Sequence, residues 1–263
     1  MKQLTIVLAI FVFPILCLGQ VKKYEYVPKV GNKVEIKNVI GAISVQNTSG
    51  KAIVIESDFQ MEVPDRAKGL KLLGSLEDNT DIGINLSEEN GVVSIVGAVR
   101  QVRDHKYKIL IPVGMAVELD YNNPFANSEL TIDSFKGSLD VRTLSANVKI
   151  TNSSGPFAVN SISGDIDVVF SSINQEASTS LASISGLIDV TVPAGEKAIF
   201  TINTMQGNIY NNLDLKSVKE NEPDNRAKDM KVIRHETGEF TLNGGGQKVL
   251  LKTITGNIYL RKK

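Results

Sequence analysis

The residues able to do chemistry are few and scattered. The 263-residue chain holds two histidines, His105 and His235, one cysteine, Cys17, and no tryptophan. A hydrolytic triad needs a histidine beside an activated serine and an orienting carboxylate. His105 lies in Arg103-Asp-His-Lys-Tyr107 and His235 in Ile233-Arg-His-Glu236, and the sequence holds no Gly-x-Ser-x-Gly elbow. One cysteine excludes an internal disulfide framework and any multi-cysteine metal site. Gly244-Gly-Gly246 is followed by no Gly-Lys-Ser/Thr and opens no helical pattern, so it does not read as a phosphate cradle. Asn243-Gly244 ahead of an apolar run reads as a hairpin or corner.

Carboxylates and tyrosines remain. Asp140, Asp165, Asp167 and Asp189 recur beside glycine-marked corners. Stacked along a sheet, such carboxylates could bind calcium or cleave a glycan by acid/base chemistry. With an 18-residue coil, Asp167 stacks on Lys149 and Asp140 on Ala158; with a 27-residue coil, Asp167 falls on Asp140 and repels it. A 22-residue step then sets Asp189 after Asp167, leaving two adjacent carboxylates at most in the first register. Solvated charge on an exposed strand face is the default for such residues. Tyr210 and Tyr259 each follow Gly-Asn-Ile, so neighbouring rungs would make them an exposed aromatic patch. Strand propensity alone also accounts for tyrosines there. The candidate ligand surface is therefore Tyr210, Tyr259, Asp167 and Asp189, with no catalytic, metal or cofactor-binding residue and no cofactor.

The element that must position these side chains is written as a repeat: small polar, apolar, small polar, Gly, any residue, branched apolar. Clear copies are Thr143–Val148, Ser161–Ile166, Ser183–Ile188, Thr204–Ile209 and Thr253–Ile258. After each corner the residues alternate, as in Ile166-Asp-Val168 and Ile188-Asp-Val-Thr-Val192. Alternation with β-branched residues means a strand with one buried face. Glycine allows a tight turn or close backbone approach. So short a unit cannot bury its own apolar face and must stack on neighbours. The expected fold is all-β: a β-solenoid over 128–263, with coils of roughly 18–22 residues. A less regular β region, 20–127, precedes it, with strands over Val34–Ile40, Ala42–Val45, Ala52–Glu56, Lys106–Ile111 and Met115–Tyr121. Ile82–Leu86 and Val92–Val96 read as a hairpin. One short helix is expected over Pro64–Leu73, placed to cap the stack. Leu215–Met230 is charged and reads as a solvated loop.

Residues 1–19 read as a signal peptide: Lys2, an apolar run from Leu4 to Leu18 broken by Pro14, then Gly19. Cleavage there would discard Cys17, and Leu16 before it fits a lipoprotein signal poorly. Residues 20–263 are expected to form one domain with no membrane span. The 29 basic and 29 acidic residues cancel, which argues against a nucleic-acid partner.

The repeat behind a signal peptide resembles the bacterial putative-adhesin family with β-strand repeats. Gly238–Arg261, with Gly244-Gly-Gly-Gln-Lys-Val-Leu-Leu and Thr253-Ile-Thr-Gly-Asn-Ile, is similar to the ending of Bacteroidetes members. Lys68–Leu73 and Asp78–Ile84 are similar to their amino-terminal half. The resemblance implies surface adhesion, with no catalytic motif or cofactor to carry over. The expectation is an exported, non-enzymatic interaction module of the periplasm, outer surface or exterior. Its partner would be a cell-surface glycan or an envelope protein. A carbohydrate-active enzyme on a solenoid scaffold and a self-assembling envelope scaffold are the alternatives.

Overall fold

A computed structural model describes residues 21–60, 65–70, 76–98, 105–122, 129–218 and 236–263. The signal-peptide segment, Cys17, His235 and residues 219–230 of the charged loop lie outside the described residues. The strands of the first half are β1 (Lys22–Tyr26), β2 (Lys33–Lys37), β3 (Ala42–Thr48), β4 (Ile53–Ser57), β5 (Ile84–Glu89), β6 (Val92–Gly97), β7 (Lys106–Pro112) and β8 (Ala116–Tyr121). Those of the repeats are β9 (Leu130–Asp133), β10 (Lys136–Thr143), β11 (Val148–Ser153), β12 (Gly155–Ser161), β13 (Ile166–Phe170), β14 (Thr179–Ser183) and β15 (Ile188–Val192). The last are β16 (Ala198–Thr204), β17 (Ile209–Asn211), β18 (Lys216–Ser217), β19 (Glu236–Leu242), β20 (Lys248–Thr253) and β21 (Ile258–Lys262). The expected helix is reduced to a single 3-10 turn, Asp65–Ala67, with Leu70 73% exposed; the rest of Pro64–Leu73 beyond Leu70, and Pro64 itself, lie outside the described residues. Leu70 is therefore not buried against the stack.

Two sheets face each other across one core. The first runs β1-β4-β7-β3-β9-β11-β13-β15-β21-β17, the second β18-β19-β16-β20-β14-β12-β10-β8-β2-β6-β5. The central pairings are parallel, as a solenoid requires, and antiparallel strands finish both ends of the second sheet and the β1 end of the first, whose other end, β17, is parallel. Every second side chain of β13 and of β15 is buried, which is the alternation written in their sequences. Phe135, Phe157, Phe170 and Phe200 fill the interior between the sheets, with the Phe157 and Phe170 rings stacked at 5.6 Å.

The corners explain the repeat. The first residue of each copy is a buried Ser or Thr. In four of the five its hydroxyl accepts the amide N–H of the residue three positions on: Ala146 to Thr143, Gly186 to Ser183, Gly207 to Thr204 and Gly256 to Thr253, at 2.9–3.1 Å; the buried Ser161 hydroxyl makes no such bond. The same hydroxyls of Ser183, Thr204 and Thr253 donate to the glycine carbonyl of the adjoining coil. A Cβ at Gly164, Gly186, Gly207 or Gly256 would collide with that neighbouring carbonyl. The small residue and the glycine thus form one device, which closes the turn and lets the next coil dock on it. Side chains just after the glycine extend the ladder: Asn147 accepts from the Asp165 N–H, and Asp165 from the Leu187 N–H.

The coils do not stack wholly in sequence order. From β8 to β15 the chain winds steadily outward. The coil formed by β16 and β17 then skips a place, and β20–β21 fills the vacated slot beside β14 and β15. The other end is a counterpart: β2–β3 lies between β6–β7 and β8–β9. Crossing turns make this possible. β19 and β20 flank β16 on opposite sides, so Asn243–Gln247 passes round its start rather than joining paired strands. Asn243 Nδ2 grips the Ala194 and Glu196 carbonyls there, at 3.0 and 2.7 Å. Asn243, Gly244 and Gly245 take φ of 49°, 87° and 90°, and a Cβ on Gly246 would sit 2.6 Å from the Lys197 oxygen. The glycine run is therefore a crossing turn. At the opposite end β3 and β4 flank β7 in the same way.

Candidate functional site

The parallel register lines up outward side chains in columns across the first sheet. One column reads Thr131, Lys149, Asp167, Asp189, Tyr259, Tyr210. All four candidate ligand residues therefore stand side by side on one face. Asp167 pairs with Lys149 on one flank and Asp189 on the other, the arrangement of an 18-residue coil followed by a 22-residue one.

The tyrosine rings stack at 5.1 Å and 10°. Each therefore spends one face on the other. Arg261 lies 5.4 Å from the Tyr259 ring centre, and its Nε donates to both oxygens of Asp189, at 2.8 and 2.9 Å. The Asp189 carboxylate raises the Arg261 pKa and fixes the guanidinium beside the aromatic pair. Tyr210 is 50% exposed and β17 is the outermost strand of its sheet, so no further strand among the described residues covers the outer ring face. Asp167 differs from Asp189. Partial burial, then the nearby charges of Asp189 and Asp165, push its pKa up, and Lys149 offsets this only in part.

These carboxylates project from adjacent strands of one open face. General acid/base cleavage of a glycosidic bond needs two carboxylates flanking that bond. Side chains standing parallel on one sheet reach a sugar from the same side, and Arg261 already occupies Asp189.

His105 is positioned by packing. Its ring meets Phe59 edge-on at 4.9 Å, and its Nδ1 lies 3.7 Å from Asp58 Oδ1, beyond hydrogen-bond reach. That Asp58 oxygen instead accepts the Lys106 N–H at 2.8 Å. Among the described residues, no three His, Cys, Asp or Glu side chains gather to hold a metal ion. No helix among them is long and apolar enough to cross a membrane.

The second sheet carries two features that the repeat analysis did not single out. Glu35, Glu118 and Asp140 occupy one outward column on β2, β8 and β10. Lys33 bridges Glu35 and Glu118, Lys37 holds Glu35, and Arg142 bridges Glu118 and Asp140, so like charges on neighbouring strands are laced by cations. These partners lower the carboxyl pKa of Glu35 and Glu118. Coil spacing could have revealed this column only if β2 had been known to pair with β8, which lies far along the chain. The apolar residue inside four of the five corner motifs is exposed as well: Ile162, Ile184, Met205 and Ile254. Ile162, Ile184 and Ile254 line a shallow depression of about 420 Å³ together with Asn160 and Ala182.

Comparison with known proteins places these repeats. Residues 125–243 match the family model described as Toastrack DUF4097. The matched stretch holds the corner repeats from Thr143 to Ile209. Among solved structures, the chain is similar to a putative cell adhesion protein from Clostridium sporogenes: 11% identity over 93% of this chain and 100% of that one, TM-score 0.46. It is similar to a putative adhesin from Bacteroides fragilis at 13% identity over 93% and 97%, with a TM-score of 0.29. A third, a putative adhesin from Parabacteroides merdae, has 13% identity over 94% and 97%, with a TM-score of 0.29. No curated protein matches the sequence.

Proposed function

We propose that this protein is an exported, non-enzymatic β-repeat module of the cell envelope, and that it binds a cell-surface glycan at the Tyr210 end of the first sheet. The observation carrying this reading is the column itself. A half-exposed aromatic face stands at the rim of a rigid sheet, backed by Tyr259 and flanked by the Asp189–Arg261 pair. A sugar ring can stack on an aromatic face while its hydroxyls bond charged neighbours. The signal-peptide pattern of residues 1–19 supports export.

The test is a glycan array probed with the purified chain, followed by titration of any hit against Tyr210→Ala and Lys149→Ala. Binding that falls tenfold or more in Tyr210→Ala and stays intact in Lys149→Ala agrees with the proposal. Binding indifferent to Tyr210 contradicts the site. Glycan turnover abolished by Asp167→Asn contradicts the non-enzymatic reading.

A further inference from the structure

The slot that holds the last coil has walls that also fit each other. β20 lies between β14 and β16, with Leu251 opposite Leu181 on one side and Ile202 on the other. β21 lies between β15 and β17, with Ile258 opposite Ile188 and Ile209. Both walls are therefore offset by the same 21 residues, 181 to 202 and 188 to 209. The preceding step, from Ile166 to Ile188, is 22. Ser183 and Thr204 fall in one column through Thr253, and Gly186 and Gly207 through Gly256. The walls are consecutive coils of the chain, held apart by a coil that arrives later in sequence.

The inserted coil meets this slot through repeat contacts, joined by the Arg261–Asp189 pair and the Tyr259–Tyr210 stack. It offers backbone hydrogen bonds on both edges, the Thr253 corner, and Val249, Leu251, Ile258 and Leu260 to the core. It is carried round β16 by Asn243–Gln247, whose three consecutive glycines can straighten with little steric cost. Any coil of the same sequence satisfies the slot equally well. A chain whose own coil has not seated exposes four core residues and both edges of β20 and of β21, and a second copy of this chain supplies their complement.

We propose that a second copy of this chain is a binding partner through this slot. In the exchanged dimer, Lys248–Lys262 of each copy seats between the β14–β15 and β16–β17 coils of the other. Monomer and dimer share every coil contact and differ in the path of the crossing turn, so the dimer forms when chains fold together at high concentration. This proposal does not depend on glycan binding.

The experiment uses full-length chains with Cys17→Ser, so that introduced thiols are the only ones. One carries Ser180→Cys and another Leu250→Cys, register partners on β14 and β20. Adjacent-strand spacing lies within the Cα separation a disulfide tolerates. The two chains are mixed, unfolded in guanidinium, refolded together at about 100 µM, where mass action favours exchange, and oxidised with glutathione disulfide. The expected product is a mixed disulfide dimer, in about half of all dimers formed, as random exchange requires. Each variant refolded alone should give no cross-link. A chain carrying both substitutions and refolded dilute should close the bond internally. Internal closure in that chain with only monomers in the mixture overturns the proposal, as does failure of internal closure. A second variant deletes Gly244–Gly246, which should block seating in the same chain and make the dimer dominant. A shortened chain that folds as a monomer also overturns it.

Discussion

Replacing Gly186 with alanine tests the corner device most sharply. The new methyl carbon would lie 2.6 Å from the Gly164 carbonyl carbon and 2.9 Å from Ser183 Oγ. Ordinary contact begins near 3.4 Å and the Gly164 carbonyl oxygen is nearer still, so the two coils must part by at least about 0.8 Å. The shortest hydrogen bonds that tie the coils there are Ser185 N–H to the Ile162 carbonyl at 2.9 Å, Ile166 N–H to the Leu187 carbonyl at 2.9 Å, and Leu187 N–H to Asp165 Oδ1 at 3.0 Å. The same displacement stretches them to about 3.7 Å, past useful length. At about 1 kcal/mol each, the loss is about 3 kcal/mol. For a chain of this size that lowers Tm by roughly 6–12 °C. Gly195→Ala is the control, because a Cβ there meets nothing within 4 Å and the backbone is not left-handed. It should be neutral, or stabilising by about 0.4–1 kcal/mol through the unfolded chain. Thermal and urea unfolding followed by circular dichroism reads both. Equal stability of Gly186→Ala and the parent chain, or equal damage from the two substitutions, would refute the reasoning.

Other perturbations follow from the same contacts. Thr253→Val removes the hydroxyl that accepts the Gly256 N–H and donates to the Gly186 carbonyl, and should cost about 1–3 kcal/mol in urea unfolding. Thr253→Ser keeps both bonds and should recover most of that loss. The raised pKa of Asp167 means the folded chain holds this proton more tightly than the unfolded one, so stability falls as pH rises from the ordinary carboxylate range through the folded value. Asp167→Asn should therefore raise Tm at pH 7 and leave it unchanged near pH 3; a lower Tm at pH 7 would mean that attraction to Lys149 outweighs the burial. Glu88 accepts the N–H groups of Lys29, Val30 and Gly31 and the Tyr26 hydroxyl, which pull its pKa down to about 2. Its contribution is present above the ordinary carboxylate pKa and is lost as pH falls through about 2. Glu88→Gln should speed amide exchange at Lys29, Val30 and Gly31 and leave β14 and β15 unchanged.

Much of the scaffold was legible because the repeat is local. Ser/Thr-x-x-Gly corners announce themselves within six residues, and alternation after each glycine marks the strand. The period offered two registers for Asp167, on Lys149 or on Asp140, and the pairing of β11 with β13 selects Lys149; it likewise put Tyr210 and Tyr259 at the same place in their repeats, and β17 and β21 prove to be neighbours. The hairpin about Asn90-Gly91 was equally plain and is the β5–β6 pair. What the period could not express is order. Gly256 carries the same corner as Gly186 and Gly207, and nothing local says that it lies between them. Coil order depends on how the crossing turns pass β16 and β7, and Gly244-Gly-Gly246 reads locally as an ordinary hairpin signal. The Glu88 clasp was hidden for a related reason, since its partners lie 57–62 residues away. Leu70 misled in the opposite sense, suggesting a helical stripe where the described residues hold a 3-10 turn at Asp65–Ala67 and an exposed Leu70.

Amide hydrogen exchange resolved by residue tests the interior placement of the last coil most directly. Protection follows a strand's place in the stack, and outermost strands open first. Because β20 and β21 are flanked on both sides, amides of 249–253 and 258–260 should be as protected as those of β12–β15. Those of β17, residues 209–211, should exchange sooner although they come earlier in the chain. Rapid exchange across 258–260 beside a protected β17 would place the coils in sequence order and contradict the fold described above.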